Sequence, residues 1–170
     1  MTVADHAHQG FDVATSQESA VSAGPQRIAF RTGGRQHGPI TCLVSPSQVG
    51  ELIKPFVFTD HGEVEPTGQS PFGIHPHSGI ATLTVVLGGR RAYEDTTGKK
   101  GEVVAGGLEW MKAGNGVWHD GWVAKGKPMR FYQLWIALPE SEENAPPPRS
   151  SLILLVCRDG RGDDYLSCAA

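Results

Sequence analysis

The sequence predicts an all-β chain folded as a barrel of two sheets. Between residues 27 and 138, short apolar runs alternate with Gly, Pro and Asp punctuation at roughly ten-residue spacing, the rhythm of a β-sandwich or barrel. Residues 81–87 alternate strictly, with Ala81, Leu83, Val85 and Leu87 on one face and Thr82, Thr84 and Val86 on the other. The composition agrees: 22 Gly and 12 Pro in 170 residues make a loop-rich chain short of helix formers.

Taken in order, residues 1–24 are rich in Ala, Ser, Gln and Asp and read as a flexible N-terminal segment. His6 and His8 lie there and read as a solvated tail. Residues 25–140 form the one domain. Its strands are expected at 81–87, 90–95, 102–105, 109–112, 117–123 and 129–138, with Gly88-Gly89 closing a hairpin between the first two. Residues 141–170 are a proline-rich linker followed by the short apolar tail of Leu152 to Cys157, too short to cross a bilayer.

Several function classes are excluded at this level. A net charge of −3 gives no drive toward nucleic acid or an anionic membrane. The first ten residues carry no basic stretch followed by an apolar one, so no secretory signal is expected. Cys42, Cys157 and Cys168 have neither disulfide-framework nor zinc spacing and read as reduced thiols, which predicts a cytoplasmic protein.

The chemistry is carried by His75-Pro76-His77 and by His119. Residues two apart on a strand share a face, so His75 and His77 can converge on one ion. Pro76 biases His75 toward extended backbone and lacks a ladder donor, which places the pair at a strand start or edge. On His75-Pro76-His77 alone, two surface-loop histidines remain the alternative. With His119 the set becomes three imidazoles, suited to zinc, iron, copper or nickel and leaving coordination positions open.

The runs 34–40, 43–47, 53–58, 75–79, 108–114 and 132–135 together resemble the pirin family over about residues 27–138, corresponding to the N-terminal half of a bicupin. The resemblance implies a cupin double-stranded β-helix, a jelly-roll-like β-barrel, with one transition metal ion at its mouth. Iron is favoured, with Zn, Cu, Ni or Mn as alternatives. The family's His-x-His and His-x-Glu ligands fall on His75, His77, His119 and Gly121, so the carboxylate is missing; Ala81 likewise stands where the first cupin motif usually has Glu. Both positions are expected to face inward. A Gly121→Glu change is expected to restore a ligand, at some cost if Gly121 has positive φ.

No substitute carboxylate is evident. Asp120 points away from the face of His119 in an extended strand, and Glu94, Asp95 and Glu109 read as solvent-facing or hairpin-stabilising. Trp110 and Trp135 read as core residues, while Trp118 and Trp122 share the face opposite His119. Gly114, Gly116 and Gly121 read as turn or close-approach positions.

Three readings follow: a quercetin 2,3-dioxygenase-type oxygenase acting on a flavonol-like aromatic, a non-enzymatic metal-responsive regulatory module with a protein partner, and a degenerate cupin without stable metal. The favoured expectation is a metal-binding cupin with weakened or absent activity. A first cupin without its second would expose an apolar face, which the tail strand or a second copy of the chain would cover as a homodimer.

Overall fold

The computed structural model describes residues 27–148 and the backbone of 152–158 and 164–168. His6, His8, Cys157 and Cys168 lie outside the described side chains. The chain divides into two units, Met1–Arg31 and Thr32–Ala170, and the β-strands of the described residues lie in the second.

The strands in chain order are β1 Arg35–His37, β2 Ile40–Val44, β3 Phe56–Val64, β4 His75–His77, β5 Ile80–Gly88, β6 Arg90–Asp95, β7 Lys100–Val104, β8 Gly107–Lys112, β9 Val117–Val123, β10 Met129–Ala137, β11 Leu152–Arg158 and β12 Asp164–Cys168. A helical turn at Pro46–Gly50 and a one-turn helix, α1, at Glu140–Glu143 are the helical pieces among the described residues. The larger sheet runs β1-β2-β3-β10-β5-β8-β11-β12 and the smaller one β4-β9-β6-β7, with antiparallel pairing throughout. The all-β cupin barrel expected from the sequence is what forms.

Alternation builds the inner face. On β10 Met129 and Phe131 are buried while Arg130 and Tyr132 are exposed, which sets Gln133 and Trp135 on the inward side as well. Their partners on β5 are Val86 for Phe131, Thr84 for Gln133 and Thr82 for Trp135. Val86, Tyr93, Val103, Val123, Met129 and Phe131 close the core between the two sheets. Burying one such apolar side chain is worth about 1.5–3 kcal/mol before ordering costs.

Two expectations are corrected here. The inward face of β5 is Thr82, Thr84 and Val86, while Leu83 and Val85 are half-buried and Leu87 is exposed. The inward parity of His75 and His77 does not continue into β5, because Gly79 takes a left-handed turn (φ 70°) that moves the chain from the smaller sheet to the larger. Ala81 is therefore buried on the face opposite Thr82 and Thr84, away from the inner face. The second correction concerns Gly88-Gly89, which joins no hairpin: β5 pairs with β10 and β8, whereas β6 pairs with β7 and β9. The hairpin forms one turn later, with Glu94 opposite Lys100.

The tail adds two strands to the larger sheet. β11 pairs with β8, Leu152 opposite Trp110 and Leu155 opposite Gly107, and β12 pairs with β11.

Candidate metal centre

β4 is the three-residue edge strand of the smaller sheet, where the missing N–H of Pro76 costs least. Its neighbour β9 sets His75 directly opposite His119 and His77 opposite Val117. All three rings thus reach the barrel interior from two adjacent strands. One ligand atom from each of His75, His77 and His119 lies within 4.8 Å of the others, the group among the described residues with metal-ligating geometry.

The donors are prepared for a cation. The Nδ1 of His75 lies 2.8 Å from the Gly73 carbonyl oxygen, which can only accept, so Nδ1 carries the proton and Nε2 keeps its lone pair. The Nε2 atoms of His75 and His119 are 3.1 Å apart, a separation that calls for a proton or a cation between them. The Nε2 of His77 is buried with no hydrogen-bond partner among the described residues. Such an orphaned nitrogen is costly unless something binds it. Burial, then the neighbouring His75, pushes His77 down to about 4. Burial, followed by the charge of Arg91 and then His77 and His75, pushes His119 down to about 3. His77 and His119 are therefore neutral near pH 7, the form that ligates. The residues present therefore fit one transition metal ion.

The carboxylates fall as follows. Asp120 turns away from the histidines and accepts hydrogen bonds from Ser70 Oγ and from the Gly121 N–H, the latter at 2.7 Å. Asp95 caps the β6–β7 turn, accepting from the Thr97 and Lys99 N–H groups. Glu109 corrects the expectation of solvent exposure: it is 5% exposed and ion-paired with Arg91, itself 7% exposed. Gly121 is not in the left-handed region, so the expected backbone strain is absent. A Cβ there would instead stand 2.6 Å from Cζ of Arg91 and closer still to Nη2.

Beside the histidines lies a cavity of about 650 Å³ walled by Phe58, Phe72, Phe131 and Trp135. Trp135 was expected in the core; it lines this cavity and meets His77 edge-on, with ring centroids 4.9 Å apart. The polar groups facing the space include Asp60 and Gln133. Asp60 Oδ1 is buried without a hydrogen-bond partner among the described residues, and burial pushes the carboxyl up against the opposing effects of Cys42 and His37. A second, narrow cavity of about 40 Å³ holds Trp122, Gly121, His119 and Arg91 among its walls. Asp60, Gln133 and Arg91 were not singled out from the sequence. No local pattern marks them, because strand pairing alone decides that they line the cavities beside the histidines.

The sequence model of the pirin family matches residues 41–136. A Pseudomonas aeruginosa relative provisionally named a quercetin 2,3-dioxygenase is 32% identical over 68% of this chain and 43% of its own length. Human pirin is 36% identical over 59% of this chain and 34% of its own. Among solved structures, a quercetin 2,3-dioxygenase from Acinetobacter baumannii superposes with a TM-score of 0.61 at 25% identity, covering 75% of this chain and 49% of that one. The chain spans less than half the length of these curated relatives. With a family match over more than half of its residues, on a cupin barrel carrying the three-histidine cluster, this chain belongs to the pirin family.

Proposed function

We propose that this chain is a metal-binding cupin in which His75, His77 and His119 hold one transition metal ion, iron by preference, beside a cavity that takes a flat, hydroxylated aromatic of the flavonol kind. The observation that carries the reading is the orphaned, buried Nε2 of His77 facing the two close Nε2 atoms of His75 and His119. A cavity of about 650 Å³ is in the range of small-molecule sites, and its aromatic walls suit a planar ligand. Such a metal, when bound, supplies Lewis-acid or redox chemistry at a ligand oxygen.

The residues of the chain do the rest. Phe58 and Trp135, with ring centroids 4.3 Å apart, form a rigid wall that orients a flat ligand next to His77. Asp60 offers a carboxyl oxygen that can accept a hydrogen bond from a ligand hydroxyl. Gln133, held by Thr84 Oγ1 and by the Trp135 indole N–H, fixes the polar side of the cavity. Three neutral imidazoles without a carboxylate ligand hold the ion's charge uncompensated, so oxygenase turnover is weakened and binding is retained. That balance also favours the regulatory reading, in which the loaded protein binds a protein partner without turnover.

Elemental analysis of untagged protein, together with quercetin titration followed by tryptophan fluorescence and by loss of flavonol absorbance, tests the proposal. One equivalent of metal, saturable quercetin binding and slow or undetectable turnover are expected. Protein that takes up no metal and no quercetin would overturn it.

A further inference from the structure

The guanidinium of Arg91 is built into the site, although no sequence motif marks it. Its Nη1 donates to Glu109, and among the described residues Nε and Nη2 have no hydrogen-bond partner. That free edge lies against Gly121, a position with no side chain, two residues along β9 from His119. The adjoining cavity, about 40 Å³, is bounded by Arg91, His75, His119 and Gly121, and no Asp or Glu lines it. One water needs about 10–15 Å³ of such space, so the cavity admits a group of a few atoms.

We propose that the free edge of Arg91, with His75 and His119, forms a receptor for one small carboxylate or similar planar monoanion, which binds together with the metal ion and completes its donor set. Two physical facts converge on it. The planar guanidinium fork matches a carboxylate through parallel N–H donors, and the edge open toward Gly121 presents such a pair. A divalent ion held by three neutral imidazoles, two of them buried, keeps its full charge where solvent screening is reduced, and an anion is favoured there. Glu109 neutralises Arg91 when the receptor is empty, which keeps the arginine from repelling the metal. The small cavity shares His75, Phe72, Phe131 and Gln133 with the large one, so the anion and an aromatic ligand would sit side by side.

The inference rests on the metal-binding reading, and the test separates the two. Co²⁺ is titrated into metal-free, untagged protein in sodium formate and, at equal ionic strength, in sodium perchlorate. Coupling of the usual size predicts about tenfold tighter Co²⁺ binding in formate and a changed visible spectrum. The variant Arg91→Met with Glu109→Gln removes both charges without orphaning either and should abolish the difference between salts. Glu109→Gln alone releases Nη1 and should preserve or enlarge it. Equal Co²⁺ affinity in the two salts for the unaltered protein, or coupling that survives in the double variant, overturns the receptor. Absence of Co²⁺ binding in both salts removes the metal reading and the receptor with it.

Discussion

Arg91 of β6 lays its guanidinium against the α-carbon of Gly121 on β9, in the space that any side chain at 121 would have to enter. The two positions are set by pairing: Arg91 opposes Val123 and Tyr93 opposes Gly121, so the arginine reaches diagonally toward the histidine end of the strand. What happens at 121 is therefore decided by a residue thirty positions earlier.

This changes what Gly121→Glu should do. The new side chain displaces Arg91 from its buried partner Glu109 or pairs with it, and in either case the carboxylate is diverted from the metal. The single variant is expected to lose stability by up to about 3–5 kcal/mol, the scale of a broken buried ion pair, with little gain in metal affinity. Combined with Arg91→Met and Glu109→Gln, the same glutamate should bind Co²⁺ at least about tenfold more tightly than that double variant does. Calorimetric titration of the three proteins checks this, and a full gain in the single variant would show that Arg91 moves freely.

His77 trades stability for binding. Its buried Nε2 has no partner among the described residues, and an unsatisfied buried polar group costs about 1–3 kcal/mol. His77→Leu should therefore abolish metal binding while raising the melting temperature of the metal-free protein by about 2–4 °C for each kcal/mol recovered. A lower melting temperature would mean that the imidazole is satisfied in solution.

Acid should destabilise the metal-free site. His77 and His119 have folded-state values of about 4 and about 3, below the ordinary 6.5 that the unfolded chain restores. Below pH 6.5 the unfolded state takes up protons that the folded site refuses, so their effect is absent above that pH and grows as pH falls toward 4 and 3. Each histidine contributes a slope approaching about 1.4 kcal/mol per pH unit. Urea midpoints between pH 7 and 4.5 should fall accordingly, and less steeply in the His77→Leu variant; identical slopes would remove His77 from the account.

The tail should protect an edge. β11 satisfies the backbone of β8 from Gly107 to Trp110, and deleting residues 150–170 leaves that row of N–H and C=O groups open to a second chain. The truncated protein should melt earlier and elute as a larger species in size-exclusion chromatography. A truncated protein that stayed monomeric and equally stable would make the strand dispensable.

The strands and the shared face of His75 and His77 were legible in the sequence because both depend on local periodicity. Alternation and turn residues located β5, β9 and β10 within a residue or two, and the His-x-His spacing put two rings on one face. What the tertiary structure decided is what those faces meet. The left-handed turn at Gly79 reset the phase of β5, so Thr82 and Thr84 face inward and Ala81 does not. Pairing of β6 with β9, and of β8 with β5, brought Arg91, Glu109 and His119 into one buried cluster from three separated segments. A charged residue on a strand has the same local signal whether its face meets water or a barrel interior. Only strand order chooses between them, and strand order is set by non-local hydrogen bonds that no window of the sequence contains.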